Sequence, residues 1–212
     1  MPSRSRHCRP IHALTAFTMV ALAGCGSTSL VNMWRDSTYP RQPLNRMLVV
    51  ALRRDATSRR IWEDGFVVSL KSHGINATPS YDVFPNAPPD TMALSAAVRG
   101  RGFDAVLVTH SLGATTQTRF VPGYVSTEPV TYLSPWTWHY ATFYTQVYSP
   151  GYVEAVRVVR YESEVWMVRG PGRLVWSGTT ETMNPTSAAQ VNKEIADVIV
   201  PALVKSGVIE SH

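Results

Sequence analysis

The spacing of hydrophobic and polar residues predicts alternating strands and helices in the first half of the chain. Residues 47–52 are all apolar, which is typical of a strand covered on both faces in a parallel or mixed sheet. The first predicted elements are a strand at 47–52 and a helix through Ser72, with Thr57 or Ser58 as its N-cap and Gly74 as its stop. A strand near 75–80, a helix that starts at Asp90 or Thr91 and is ended by Gly100 and Gly102, and a strand at 103–109 follow. This order indicates βαβ units.

The first predicted helix is amphipathic, because its apolar residues recur at helical spacing. The residues expected in its buried stripe are Ile61, Trp62, Phe66, Val67 and Leu70. The residues expected largely on its solvated side are Arg59, Arg60, Glu63, Asp64 and Lys71.

The second half of the chain follows a different pattern. Apolar and polar residues alternate between 159 and 167, which predicts a strand with one solvated face, and residues 174–178 return as its hairpin partner after a turn. A last helix is expected from about Ser187 to Gly207, kinked or interrupted at Pro201. The residues of its predicted buried face are Val191, Ile195, Val198, Ile199 and Leu203. The predicted fold class is α/β: a mixed sheet built from β-α-β-α-β, then an antiparallel hairpin and a C-terminal helix.

Residues 112–152 form an aromatic-rich insertion between these two halves. It contains ten of the 21 aromatic residues of the chain, and a connection of this length either forms extra strands or serves a function. Three interpretations are open: a hairpin packed on its own sheet, an exposed surface for a protein, glycan or lipid head-group partner, and disorder. The candidate residues for a binding surface are Trp136, Trp138, Tyr140, Phe143 and Tyr144.

The first 24 residues have the composition of an export signal. Three arginines (Arg4, Arg6 and Arg9) precede an apolar run at 11–23, and no acidic residue occurs before position 25. As a helix this run would be about 20 Å long, too short to cross a hydrocarbon core of about 30 Å. We therefore expect residues 1–24 to be a signal peptide that is removed.

The end of this segment indicates a lipid anchor. Leu22-Ala23-Gly24-Cys25 resembles the lipobox of bacterial lipoproteins, in which the cysteine thiolate takes a diacylglyceryl group. The resemblance implies that Cys25 becomes the lipidated first residue, held in the membrane by fatty acyl chains such as palmitate. Gly26 stands where an aspartate commonly retains lipoproteins in the inner membrane, so the resemblance implies an outer-membrane location on the periplasmic face. Residues 25–43 are predicted to be a tether, and residues 44–212 a single domain.

Composition and charge exclude several classes of function. Three of the 20 basic residues lie in the predicted signal, so the mature chain has 17 basic and 15 acidic residues and a net charge of +2. This balance does not resemble that of a nucleic-acid binder. Four histidines of the mature chain, His73, His110, His139 and His212, lack a partner at the spacing of metal ligands, so we expect no metal or other cofactor.

One segment resembles an enzyme motif. Thr109-His110-Ser111-Leu112-Gly113 follows a predicted strand, as the nucleophile elbow of α/β-hydrolase lipases does. That elbow needs a glycine where Thr109 stands and a helix after the serine, whereas residues 115–123 have an extended pattern. The sequence therefore predicts a protein that is not an enzyme, with a lipid-anchored serine hydrolase using Ser111 as the alternative.

From Arg46 onward the chain resembles uncharacterised small lipoproteins of Gram-negative bacteria. The segments that carry the resemblance are Arg60 with Glu63, residues 70–74, residues 102–108, residues 172–177 and residues 203–207. The order of elements is more distantly similar to the α/β domains of LpoB and the N-terminal domain of TolB, which are envelope proteins that act through partners. The resemblance implies a non-enzymatic envelope protein that binds another envelope component, with a purely structural envelope lipoprotein as a further alternative.

Overall fold

The computed structural model describes residues 27–39, 44–133, 140–168 and 172–210. In these ranges the elements are β1 (Thr28–Arg35), β2 (Arg46–Ala51), α1 (Ala56–Ser72), β3 (Asn76–Pro79), a 3₁₀ turn (Ser80–Asp82), α2 (Thr91–Arg101), β4 (Ala105–Val121), β5 (Tyr124–Leu133), β6 (Tyr140–Ser149), β7 (Tyr152–Met167), β8 (Arg173–Met183) and α3 (Ala188–Lys205). The predicted α/β class and the predicted order of elements are confirmed.

Six strands form one mixed sheet in the order β1-β8-β7-β4-β2-β3. The strand β2 is parallel to both β3 and β4, whereas β4, β7, β8 and β1 pair antiparallel. The helices α1 and α3 pack together on one face, and α2 covers the opposite face over β2 and β4. Because β2 lies between these layers, residues 47–51 are all buried.

Side-chain caps fix the start of each helix. Asp55 caps α1 by accepting a hydrogen bond from the backbone nitrogen of Ser58, so the helix begins at Ala56 and the predicted N-cap at Thr57 or Ser58 is wrong. Asp90 caps α2 and Ser187 caps α3, so these helices begin at Thr91 and Ala188, in agreement with the predicted starts at Asp90 or Thr91 and at about Ser187. The predicted interruption at Pro201 is wrong, since α3 continues to Lys205. Pro201 lies on the exposed side of this helix, where water can reach the carbonyl that lacks a donor.

Three predictions for the exposure of α1 residues are wrong. Arg59 and Glu63 are buried instead of solvated, whereas Ile61 is 40% exposed. The Glu63 carboxylate is buried because donors surround it: Arg59 Nε at 3.0 Å, Ser80 Oγ at 2.6 Å and the backbone nitrogens of Ala51 and Tyr81 at 3.1 and 3.0 Å. A buried charge is tolerated when it is paired and fully hydrogen-bonded.

Part of the predicted tether belongs to the sheet. Residues 28–35 form β1, which pairs antiparallel with β8, so the prediction of a tether over 25–43 is wrong for this stretch. The strand escaped prediction because it lies at the sheet edge, has a bulge between Leu30 and Asn32 and exposes Val31 and Met33. Its exposed positions therefore do not alternate in the manner of a strand with one buried face.

Candidate functional site

The insertion extends the strands of the sheet into an exposed arm. The strands β4 and β7 continue as a two-stranded ribbon after their neighbours β2 and β8 have ended, with Val121 paired to Tyr152 at its far end. Beyond it, β5 and β6 pair only with each other. We call residues 115–133 and 140–157 the aromatic arm. Every residue from 111 to 120 is exposed, so no side chain in this part of β4 belongs to the hydrophobic core.

Two proline-glycine pairs form a joint in the arm. The triplet Pro-Gly-Tyr occurs at residues 122–124 and again at residues 150–152, where each strand of the first ribbon passes into the second. A side chain on Gly123 would come within 2.6 Å of the Ser149 carbonyl oxygen, and one on Gly151 within 2.9 Å of the Gly123 nitrogen. The two backbones approach so closely that only glycine fits at these positions.

The two faces of the β5–β6 ribbon carry different side chains. Tyr140, Tyr144 and Tyr148 lie on one face, because they occupy alternate positions of β6. They are 78%, 73% and 68% exposed, and we call them the tyrosine row. On the opposite face Tyr132 and Phe143 contact each other edge to face, with ring centroids 5.8 Å apart. Aromatic residues therefore line both faces of a ribbon on which none of the described helices packs.

The outer part of the arm is almost uncharged. Glu128 is the only Asp, Glu, Lys or Arg between Phe120 and Val153. It pairs with Thr145, whose position in β6 places both residues on the face opposite the tyrosine row. Closer to the sheet, Arg119 and Glu154 form an exposed ion pair at 2.5 Å. The tyrosine row therefore offers aromatic and hydroxyl groups to a partner without any formal charge.

A stack of three side chains attaches the base of the arm to the helical layer. The ring of Trp62 in α1 lies 4.5 Å from that of Tyr161 in β7, and the Arg53 guanidinium lies 4.1 and 4.9 Å from their centroids. Two nitrogens of Arg53 are buried without a hydrogen-bond acceptor. The aromatic faces take the place of that acceptor, since a desolvated cation–π contact is worth about 2 kcal/mol.

The first described residues are held at the same end of the sheet as the arm. Thr28 pairs with Thr182, Thr182 with Val159, and Val159 with Ala114, so these four residues lie at one level. From that level β4 continues into the arm, and β1 begins there and runs in the direction opposite to β4.

A carboxylate of α3 holds Ser27 and Thr28, the first described residues. Glu194 accepts hydrogen bonds from the hydroxyls of Ser27 at 2.9 Å and Thr28 at 2.7 Å, and from the side-chain amide of Gln190 at 2.9 Å. The Gln190 bond and then the Thr28 bond lower the pKa of Glu194, because both stabilise its ionised form. These hydrogen bonds therefore fix the position of Ser27 and Thr28 against α3.

The structure brings together some of the residues predicted for a binding surface. Tyr140 and Tyr144 share a face of β6, whereas Phe143 lies on the other face. Trp136 and Trp138 lie outside the residues that the structure describes. The same holds for Cys25, the predicted site of lipidation.

Sequence reasoning missed four features of the site: Tyr148 as the third member of the row, the glycine joint, the Arg53 stack and the Glu194 contacts. The repeated Pro-Gly-Tyr triplet was a signal for the joint. The other three features depend on contacts between residues that are distant in the sequence.

Ser111 does not lie in a nucleophile elbow. The strand β4 continues through it to Val121, which confirms that the segment after it is extended. Ser111 Oγ accepts a hydrogen bond from the Gly113 nitrogen at 3.2 Å. The adjacent His110 points to the other face of the sheet, where its Nε2 lies 3.3 Å from a carboxylate oxygen of Glu162. These contacts do not assemble the serine–histidine pair that the hydrolase alternative requires.

Within the described residues, no group of three or more His, Cys, Asp or Glu side chains is placed to hold a metal ion. None of the helices in the described ranges is both long and apolar enough to cross a membrane.

The fold and the arm together define an α/β domain that carries an exposed aromatic β-ribbon. No family model matches the chain, and no curated protein matches it. Solved structures similar to it include the PelC dodecamer from Paraburkholderia phytofirmans, with 13% identity, a TM-score of 0.45, and coverage of 87% of this chain and 99% of that one. A methionine-substituted variant of that PelC gives 13% identity, a TM-score of 0.46, and coverage of 85% and 99%.

A third similar structure is a PDZ domain protein from Parabacteroides distasonis. It has 11% identity and a TM-score of 0.31, and the alignment covers 76% of this chain and 31% of that one.

Proposed function

We propose that this chain is a lipid-anchored protein of the cell envelope that faces the periplasm from the outer membrane and binds another envelope component through the aromatic arm. In this proposal it catalyses no reaction itself. One observation carries it: three tyrosines form an exposed, uncharged row on a ribbon that no part of the described core covers.

The low stability expected of such an arm on its own supports a binding role. A two-stranded ribbon is at best marginally stable in water without a layer packed against it. Clustered exposed aromatics of this kind mark interaction sites more often than they mark ordinary surface. Tyrosine also suits a surface that is wet when free and buried when bound, because it combines a large apolar ring with a hydroxyl.

The anchor in this proposal is the predicted lipid on Cys25. The Cys25→Ser variant should remain an unlipidated precursor that does not enter the lipoprotein pathway, and sucrose-gradient fractionation of the wild type should place it with outer-membrane markers. A variant that is processed normally and partitions into detergent would contradict the anchor. Co-sedimentation of the wild type with inner-membrane markers would contradict the location.

Capture from crosslinked envelopes tests the binding role. The wild type should retain an envelope component that a Tyr140→Ser, Tyr144→Ser, Tyr148→Ser variant loses. A Val68→Ser, Met92→Ser variant is the matched control, because these apolar residues are 69% and 84% exposed on α1 and α2, away from the arm. Equal capture by the wild type and both variants would contradict the proposal.

The hydrolase alternative is tested with a fluorophosphonate probe. We expect the probe to label neither the wild type nor Ser111→Ala, because the residues after Ser111 form a strand. Labelling that disappears in Ser111→Ala would establish the serine as a nucleophile and replace the proposed function.

A further inference from the structure

A groove of about 430 Å³ lies between α2 and the face of the sheet that this helix covers only in part. The helix packs over β2 and β4, whereas the next strand, β7, presents Trp166 beside it with 38% of that residue exposed. The volume is within the range of sites that hold small molecules. We call this cavity the α2 groove, and its apolar lining includes Leu94, Val98, Val106, Val108 and Trp166.

Two polar side chains of the lining are already engaged within the domain. The indole nitrogen of Trp166 donates to a carboxylate oxygen of Glu164 at 3.0 Å, and Ser95 Oγ accepts from Arg99 Nη2 at 2.8 Å. The backbone of β4 at the groove pairs with β2 on one side and β7 on the other. A peptide or a sugar would place its own polar groups against a mostly apolar lining, and burying them without partners costs free energy. The lining therefore favours an occupant that is apolar along its length.

One charged residue, Arg99, lies in the lining. It is exposed in the last turn of α2, and no carboxylate of the described residues forms an ion pair with it. Thr91, the first residue of α2 and also part of the lining, lies eight positions earlier, which is about 12 Å along the helix. The groove therefore combines an apolar floor of roughly this length with an unpaired positive charge at one end.

We infer that the α2 groove binds a fatty acid, with the acyl chain along the groove and the carboxylate paired to Arg99. An acyl chain needs no hydrogen bonds along its length, and a guanidinium can bind a carboxylate through two parallel hydrogen bonds. The groove lies at the end of β4 opposite to the aromatic arm. This inference therefore goes beyond the proposed function and requires neither the tyrosine row nor the anchor.

Quenching of Trp166 by brominated amphiphiles tests the site. The ligand is ω-bromoundecanoate, and ω-bromoundecanol is the uncharged comparison with the same chain length. The protein is the full-length chain with Cys25→Ser, which cannot take a lipid of its own on that residue. Because bromine quenches indole fluorescence only at close range, the signal of the groove is the saturable quenching that a Trp166→Phe variant lacks.

We expect the carboxylate to bind at least about tenfold more tightly than the alcohol, because only the carboxylate pairs with Arg99. Arg99→Gln should abolish this difference and leave binding of the alcohol unchanged. Arg101→Gln is the matched control, since this exposed arginine lies in the same helical turn but outside the lining, and it should keep the difference. Circular dichroism spectra that match the parent chain establish that the variants are folded.

The length of the acyl chain gives an independent measure of the apolar contact. Over a series of shorter brominated acids, affinity should fall about fourfold for each methylene removed, as expected when the chain is buried. Equal affinity for all chain lengths would overturn the inference, because the chain would then lie outside the groove. The absence of saturable Trp166 quenching, or a preference for the acid that Arg99→Gln retains, would also overturn it.

Discussion

The two ends of β4 belong to the same strand but differ in how far their side chains are buried. Residues 105–107 are buried between α2 on one face and the α1–α3 layer on the other. Residues 111–120 are all exposed, although they keep the same pairing with β7. Backbone pairing alone therefore extends a strand well beyond its core, and only packing by distant helices decides which end is buried.

The largest predicted difference is in the loss of unfolding free energy when an aromatic residue of the core or the tyrosine row is replaced. Phe66 is fully buried, so Phe66→Ala should lower the free energy of unfolding by about 3–5 kcal/mol. The Tyr140→Ser, Tyr144→Ser, Tyr148→Ser variant should lose less than about 1 kcal/mol, because those rings touch little of the core. Urea denaturation followed by far-UV circular dichroism measures both values. A larger loss in the arm variant would mean that its tyrosines are part of the core.

Two arginine–glutamate pairs give a second comparison of similar size. Arg59–Glu63 is buried, whereas Arg119–Glu154 is exposed on the arm. We expect Glu63→Ala to cost about 3–5 kcal/mol, because it leaves the Arg59 charge buried without an opposite charge. Glu154→Ala should cost at most about 1 kcal/mol. Thermal unfolding of the two variants side by side checks this, and equal shifts in Tm would refute the assigned difference in burial.

An intermediate effect is expected at the joint of the arm. Gly151→Ala places a methyl group within 3 Å of backbone atoms on the opposite strand, a strain of about 1–3 kcal/mol. Hydrogen exchange should therefore speed up in β5 and β6 and stay unchanged in β2. Gly100→Ala is the control: its methyl group meets open space within a helix, so it should stabilise the domain by about 1 kcal/mol. Unchanged hydrogen exchange in the arm of the Gly151→Ala variant would contradict the close approach of the two backbones at the joint.

The smallest expected effect is a pH dependence at the start of β1. Folding lowers the pKa of Glu194, chiefly through the Gln190 and Thr28 hydrogen bonds, so its ionised form stabilises the folded state. That contribution is present above the unfolded pKa, near 4.5, and is lost as pH falls through the lower folded pKa. Amide exchange in β1 should accelerate relative to β2 over this range. In the Glu194→Gln variant, the difference in amide exchange rate between β1 and β2 should no longer depend on pH. If the pH dependence remains in this variant, another titratable group causes it.

Prediction from sequence succeeded where the pattern is local. The apolar run at 47–52, the helix starts at Asp90 or Thr91 and at about Ser187, and the alternation over 159–167 each depend on neighbouring residues, and each led to the correct element. Part of the candidate site was also visible, since the aromatic density of the insertion drew attention to Tyr140 and Tyr144. The third tyrosine of the row became evident only from the strand register.

Prediction failed where a distant segment sets the environment of a residue. Glu63 has the polarity of a surface residue, yet donors from β2, the 3₁₀ turn and its own helix surround it in the core. Residues 28–35 lack strand periodicity, yet β8, about 150 positions later, supplies their backbone partners. The sequence by itself determined the elements from β2 to the first part of β4, the β7–β8 hairpin, α3 and the α/β class, because backbone preferences and apolar spacing act over a few residues. The tertiary structure alone decided that Arg59 and Glu63 are buried, that β1 joins the sheet and that the arm is exposed, because burial depends on which distant surfaces meet.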